Sequence, residues 1–237
     1  ILHQRYAPDS HFARMFSFPQ LQTGVQTLGV VLATGKACTE FQPGDRVYMR
    51  LGHGSHQVAA ESECSPVPDG IDPKLACWCG LAKTAFRAAW AGGLAAGSVV
   101  LMICDGPVGQ MLTRWAAALN CSGITVADLS EQRLAHARKG GATRLVPGDL
   151  AEIDGEGFPL VIDCTGNPTV FQYALAAAAK FGKLILLGDT GFPGRQCLSS
   201  DLMTKGLTLQ ATHDSHDRDG WSQRKVDALF FEKVATK

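Results

Sequence analysis

Six residues of this 237-residue chain carry its clearest chemical signal: Cys104-Asp105-Gly106-Pro107-Val108-Gly109. They follow the apolar run SVVLMI and open a stretch in which Val108, Met111, Leu112, Trp115 and Leu119 recur at helical spacing. A glycine turn between a buried strand and a helix is suited to holding a dinucleotide. In G-x-G-x-x-G the first glycine makes the tight turn, the second lets backbone approach the pyrophosphate, and the third lets helix pack on strand. Gly106 and Gly109 hold the second and third places, and Cys104 stands in the first. Amides at the helix start, over Gly106, Val108 and Gly109 with Pro107 between them, favour an anion through unpaired N–H groups and the helix dipole. Asp128 ends the next apolar run, GITVAD. A carboxylate there accepts bonds from the adenosine ribose hydroxyls and repels a 2′-phosphate, so NAD is expected rather than NADP. Arg133 and Arg138 lie close by and temper that preference. The competing reading is a glycine turn that binds nothing.

Further candidates follow from position along the alternating pattern. Thr165 and Gly166 come after the run PLVIDC, and Gly188 and Asp189 after KLILLG. Ligands of doubly wound sheets bind outside the carboxyl ends of strands, so these four are expected cofactor contacts, or else ordinary turn residues. His53 and His56 flank Gly54-Ser55. His56 can donate or relay a proton, since imidazole titrates near neutrality, or can be an exposed loop histidine. Cys77 and Cys79 form C-x-C on an apolar helical pattern, where packing cysteines are common. His213, Asp214, His216 and Asp217 in ATHDSHD have metal-binding residue types, but following a strand end they read as a polar loop.

The elements that must position these residues come in two kinds. From about Thr27 to Val67, short apolar stretches (LGVVLATGK, QPGDRVYMR, GSHQVAA, SPVPDG) alternate with turn signals and read as a compact β domain. Between Pro73 and Trp90 the spacing becomes helical. After AGGLAAG, buried strands alternate with helices: SVVLMI, GITVAD, PLVIDC, KLILLG and LTLQA. SEQRLAHARKGG reads as a helix capped by Ser130 and ended at Gly140 or Gly141, and another runs from about Val170 to Ala179. Strands alternating with helices imply parallel pairing and a doubly wound sheet. A last helix spans about Trp221 to Val234. The expected domains are 1–92 and 93–237.

Bulk properties narrow the partner. Twenty-two basic residues balance 22 acidic ones, so no net field recruits nucleic acid or a membrane surface, and a small-molecule partner is expected. No apolar run approaches the roughly 20 residues that span a bilayer. The eight cysteines lack CxxC spacing and mostly sit beside apolar residues, which reads as reduced thiols in a cytoplasmic chain.

Taken in order, FPQLQTGVQTLGVVLATGK, FQPGDRV, CDGPVG, VADLSEQRLAHARKGGAT, VIDCTGNP and GKLILLGDTG resemble the medium-chain dehydrogenases of the zinc alcohol dehydrogenase type, over about Phe18 to Ala211. The resemblance implies a GroES-like β domain followed by a Rossmann domain, catalysis in the cleft between them, a homodimer, and hydride transfer between a nicotinamide cofactor and an alcohol, polyol or ketone. Relatives return the chain to the first domain after the Rossmann fold, a segment expected to be lacking here. Arg46 to Cys64 contains no four-cysteine lobe, so no structural zinc is expected. Zinc-using relatives carry Gly-His-Glu where this chain has Gly24-Val25-Gln26, and valine cannot ligate a metal. The upstream cysteine ligand has no counterpart in APDSHFARM, and Cys79 echoes the later ligand one residue out of step. A catalytic zinc is therefore not expected, because zinc chemistry needs three protein ligands. Without it the oxyanion needs another donor. Tyr6, Ser10, His11 and His56 are the candidate donors, and Cys79, the echo of the later ligand, is the further catalytic candidate. The alternative is a non-catalytic dinucleotide-binding relative with a regulatory or assembly role.

Overall fold

The computed structural model describes residues 7–11, 13, 24–148, 150–153, 157–217 and 219–235. Tyr6 and the stretch Phe18 to Thr23 lie outside the described residues. The chain divides into two compact units. An α/β unit comprises residues 1–19 and 84–216, and a β unit comprises residues 20–83 and 217–237.

The β unit holds an antiparallel sheet of β1 (Thr27–Val30), β2 (Arg46–Met49) and β3 (Cys64–Pro66), with β2 in the centre. Residues Val47, Met49 and Cys64 bury one face against Val31, Phe41, Leu51 and Ala59. GSHQVAA forms no strand; its one bulky apolar residue, Val58, is fully exposed, so its alternation has nothing to bury against. The helix expected from Pro73 to Trp90 is two: α1 (Pro73–Ala76) and α2 (Cys79–Gly92). Asp72 caps α1, its Oδ1 accepting from the Lys74 N–H at 2.8 Å, and Pro73 fits the first helical position. At the break, the Cys77 carbonyl is satisfied by the Gln26 side-chain amide at 2.8 Å.

The six-stranded sheet of the α/β unit runs β6 (Arg144–Pro147), β5 (Gly123–Asp128), β4 (Val99–Ile103), β7 (Phe158–Asp163), β8 (Ala178–Leu186), β9 (Thr208–Ala211) in spatial order, with every pair parallel. Strand order reverses between β4 and β7, the switch point of a doubly wound sheet. Helices α3 (Pro107–Ala118), α4 (Glu131–Lys139), α5 (Pro168–Ala177) and α6 (Ser200–Thr204) connect the strands. The order, an antiparallel β sheet and then a parallel six-stranded sheet, is the GroES-like and Rossmann arrangement expected. Leu101, Val161 and Leu184 are fully buried, as central parallel strands covered on both faces require. Trp115 on α3 packs edge-on against Phe86 of α2, with centroids 5.2 Å apart.

Local signals explain the boundaries. Ser130 Oγ accepts from the Arg133 N–H at 3.4 Å, and α4 carries Glu131 in its first turn and His136, Arg138 and Lys139 in its last, in keeping with its dipole. Asn167 caps α5 through the Thr169 N–H at 2.8 Å. The alanine run was expected to stay helical to Ala179, but Ala178 already begins β8. Alanine carries no side-chain signal that separates a buried helix end from a buried strand start. Strand β6 carries little signal in the sequence, being only four residues between Gly141 and Gly148.

The last helix, α7 (Gln223–Lys233), belongs to the β unit. Asp227 on its buried face accepts from Ser65 Oγ of β3 at 2.7 Å, with Val226, Phe230 and Phe231 buried beside it. The chain was expected to end within an unbroken second domain and to lack a returning segment; residues 217–235 provide a return. Among the described residues no helix is long and apolar enough to cross a membrane.

Candidate functional site

The carboxyl edge of the six-stranded sheet gathers every expected cofactor residue. The turn Cys104 to Gly106 follows β4, Asp128 ends β5, Arg133 lies on α4, Thr165 and Gly166 follow β7, and Gly188 and Asp189 follow β8.

The first turn has the shape its sequence predicts and a strain its sequence does not remove. Cys104 has φ +78°, the left-handed region for which the missing glycine is suited. Gly106 is the N-cap of α3 and Pro107 its first helical residue. A Cβ built on Gly109 would overlap the Cys104 carbonyl oxygen, so only glycine lets the helix start lie this close to the turn. Asp128 fixes this arrangement. Its Oδ2 accepts from the Asp105 N–H at 2.7 Å and its Oδ1 from the Ser130 N–H at 2.8 Å, while the Arg133 guanidinium stands 3.6 Å from Oδ2. The Asp128 side chain is only 4% exposed and Arg133 is 52% exposed, so the guanidinium is the part of this pair that faces solvent.

Asp105 turns inward beneath the helix. Its carboxylate accepts from Thr113 Oγ1 at 3.3 Å and from the Gln110 side-chain amide. Burial raises its pKa to about 6, with the Thr113 hydrogen bond pulling the other way and the charge of Asp128 adding to the rise. Asp163, at the end of β7, is similarly buried. One oxygen accepts from both the backbone and the hydroxyl of Thr165, at 2.7 and 2.6 Å, and burial raises its pKa too. The Thr165 hydroxyl thus holds its own turn. Gly166 (φ +62°) and Gly188 press backbone on backbone, since a Cβ on either would overlap the other loop. Their glycine identity is accounted for by this contact between the β7 and β8 loops. Asp189 is exposed beside it.

The expected catalytic residues fall in both units. In the α/β unit, residues 7–11 lie on the loops beyond β8 and β9: the Ala7 N–H donates to the Gly191 carbonyl at 2.8 Å, and the His11 ring stands edge-on to His213 with centroids 5.9 Å apart. Ser10 is buried, and its hydroxyl accepts from the Ala13 N–H at 3.2 Å as a local cap. In the β unit, His56 is exposed with its Nδ1 3.3 Å from Ser55 Oγ. Cys79 is fully buried; burial and the nearby Asp227 carboxylate push its thiol far above the usual range, so it holds its proton.

These residues do not fit a catalytic zinc. Val25 is 57% exposed and offers no donor atom. The Gln26 carboxamide is committed at both ends, its Oε1 accepting from the buried Tyr48 hydroxyl at 3.2 Å and its Nε2 donating to the Cys77 carbonyl. A Cβ on Gly80 would overlap both Gln26 Oε1 and the Tyr48 hydroxyl, so a cysteine beside Cys79 has no room either. Among the described residues, no group of three or more His, Cys, Asp or Glu is arranged to hold a metal ion.

Two features escaped the sequence reading: the inward Asp105, which occupies a variable position of the fingerprint, and the pairing of His11 with the ATHDSHD loop, which depends on folding across the chain.

Comparison with known proteins agrees with the fold. The chain is 35% identical over 138 residues to an L-threonine 3-dehydrogenase of Bacillus velezensis, an alignment covering 55% of this chain and 40% of that one; the chain therefore matches less than half the length of this relative. A Sinorhizobium meliloti 1021 protein described as a zinc-binding dehydrogenase and bound to NADP superposes with a TM-score of 0.80 at 17% identity, covering 93% of this chain and 75% of the other. A short chain alcohol dehydrogenase of Escherichia coli CFT073, complexed with cofactor NADH, superposes with a TM-score of 0.76 at 18% identity, covering 90% and 72%. The family model for zinc-binding dehydrogenases matches residues 107–227, which takes in α3, the rest of the parallel sheet and the start of α7, and the chain belongs to that family.

Proposed function

We propose that the α/β unit binds a nicotinamide dinucleotide and that the protein is an oxidoreductase moving hydride between this cofactor and a small alcohol, polyol or ketone without zinc. The observation that carries the reading is the start of α3 directly after β4, where Gly106 is an N-cap without a side-chain hydrogen bond to the first helical amides, which a pyrophosphate would then accept from. The NADP- and NADH-bound states of the two structural neighbours support the same cofactor class. The ribose of the adenosine half would bond the remaining lone pairs of Asp128, which favours NAD. Arg133, half exposed beside it, supplies a counter-charge for a 2′-phosphate, so the balance of the two nucleotides rests on this pair. When bound, the cofactor supplies the hydride acceptor or donor. Thr165, Gly166, Gly188 and Asp189 would bound its nicotinamide half.

Titration of protein fluorescence with NADH and NADPH tests the cofactor, and a panel of alcohols and sugars with both oxidised nucleotides tests the chemistry. Saturable binding at micromolar nucleotide with turnover of one substrate class is expected; no binding of either nucleotide rejects the reading. A second reading, a dinucleotide-binding relative without catalysis, is favoured by the committed Gln26 carboxamide and the protonated Cys79. Tight nucleotide binding without turnover across the panel would select it.

A further inference from the structure

The loop after β8 carries a cation that the cofactor residues leave unused. Between the end of β8 at Leu186 and the start of α6 at Ser200, Pro193–Arg195 form a single 3-10 turn, closed by the Arg195 N–H donating to the Phe192 carbonyl at 3.0 Å. Two further bonds hold the loop in place. The Phe192 N–H donates to Thr190 Oγ1 at 3.2 Å, and the Gly191 carbonyl accepts from the Ala7 N–H at 2.8 Å. The Arg195 guanidinium stands over the partly buried Phe192 ring, 4.8 Å from its centroid, while the residue itself is exposed. Such a contact is made by charge against the ring face, so the N–H donors of the guanidinium are not consumed by it. Among the described residues Arg195 makes no ion pair and no side-chain hydrogen bond. Asp189, earlier in the same loop and also exposed, does not pair with it. Phe192 is therefore a shelf that narrows the choice of rotamers for a long side chain, which lowers the ordering cost when a ligand arrives.

Position along the sheet says what this cation borders. β8 lies two strands from β4, with β7 between them, which is roughly 10 Å along the carboxyl edge. A dinucleotide with its adenosine ribose at Asp128 and its pyrophosphate on α3 must extend its nicotinamide toward β7 and β8. A substrate must lie against that ring, and the loop after β8 is on its side of the cofactor. Relying on the cofactor reading above, we infer that Arg195, braced by Phe192, binds an anionic group of the substrate, which makes the substrate class alcohols that bear a carboxylate or phosphate and the matching carbonyl compounds. Both groups offer two oxyanion oxygens at the spacing of the guanidinium fork. A neutral alcohol gains nothing from this charge. An anion held at one end of a substrate also fixes which of several hydroxyl-bearing carbons reaches the nicotinamide, because position along the substrate is then measured from the ion pair.

The test needs no knowledge of the substrate. The full chain is saturated with NADH, or with NADPH should that bind more tightly, so that the start of α3 is occupied. It is then titrated at constant ionic strength with oxamate, a carboxylate that cannot accept hydride, and separately with inorganic phosphate, with nucleotide fluorescence as the readout. Saturable binding of at least one anion is expected, and the tighter of the two names the group. Arg195→Gln should weaken that binding by about tenfold or more, and Arg195→Lys by less, since lysine restores the charge without the fork. Phe192→Leu should weaken it as well, by removing the shelf, and all three variants should bind the nucleotide as the parent does. No saturable binding of either anion, or equal anion affinity in Arg195→Gln, overturns the inference and leaves the cofactor reading intact. A loss of nucleotide affinity in Arg195→Gln also overturns it, because the guanidinium then serves the pyrophosphate of the cofactor. Absence of nucleotide binding in the parent rejects the cofactor reading, and the inference with it.

Discussion

Replacing Cys104 by glycine should stabilise the protein relative to replacing it by alanine, reversing the usual order of the two residues. The backbone at this position has φ +78°, and a residue with a Cβ pays roughly 1–2 kcal/mol to stay there. Glycine escapes that cost but loses more freedom on folding, about 0.5–1 kcal/mol. Both variants remove the same partly buried thiol, so its packing cancels in the comparison. The difference left is about 0.5–1 kcal/mol in favour of glycine. For a chain of this size that corresponds to roughly 1–4 °C in Tm. Urea unfolding and thermal melts of the two variants measure it directly, and NADH titration should find the affinity of Cys104→Gly preserved, since Gly106 and Gly109 are untouched. If alanine proves as stabilising as glycine, the thiol and not the dihedral is the source of strain. If glycine is the less stable by 1 kcal/mol or more, Cys104 sits without strain and the reasoning fails.

Other perturbations probe the same edge. Gly109→Ala puts a methyl group into the Cys104 carbonyl, and a loss of about 1–3 kcal/mol in chemical denaturation with weakened NADH binding is expected. Asp128→Ala removes the acceptor for two backbone N–H groups as well as the ribose partner; it should lose about 2–4 kcal/mol of stability and weaken NAD more than NADP, with unchanged selectivity in titration counting against a ribose role. Burial raises the Asp105 pKa to about 6 in the folded protein, above its unfolded value, so the folded state holds this proton more tightly. The stability due to this group is fully present below about pH 4 and is lost as pH rises to 6, and Asp105→Asn should flatten that part of a stability profile measured by urea unfolding between pH 4 and 8. Elemental analysis of purified protein should find no stoichiometric zinc, and overnight chelation should leave Tm and any hydride transfer unchanged; one zinc per chain lost together with activity would refute the reading of Gln26 and Cys79.

Most of the α/β unit was legible because β4, β5, β7 and β8 carry continuous apolar runs and the longer helices carry start signals, Ser130 for α4 and Gly106-Pro107 for α3, whereas β6 and the short, uncapped α6 carry neither. Such signals lie within a few residues of what they specify. The edge residues were legible for the same reason, since a doubly wound sheet fixes where its loops emerge. Contacts between distant segments were not. Nothing near Asp227 announces that it will meet Ser65, and nothing in ATHDSHD announces the approach of His11. Gly166 and Gly188 illustrate a subtler limit: both stand where cofactor contacts were expected, yet their mutual backbone contact alone accounts for glycine at each. Cys79 shows the converse, a reactive residue type whose burial withholds its reactivity.

The return of α7 to the β unit also bears on the order of events during synthesis. The contacts of Asp227 and its neighbours with β3 join residues separated by 162 positions, with the whole parallel sheet emerging between them. On a ribosome adding about 5–20 residues each second, strands β1 to β3 must wait for roughly 10–30 seconds before their covering helix exists. The parallel sheet, whose strands pair mostly with near neighbours in the sequence, can assemble during that interval. The three-stranded sheet meanwhile lacks the helix that meets Ser65 of β3 through Asp227. Chaperone dependence during translation should therefore concentrate on the β unit, and moving the α7 segment upstream by circular permutation should relieve it.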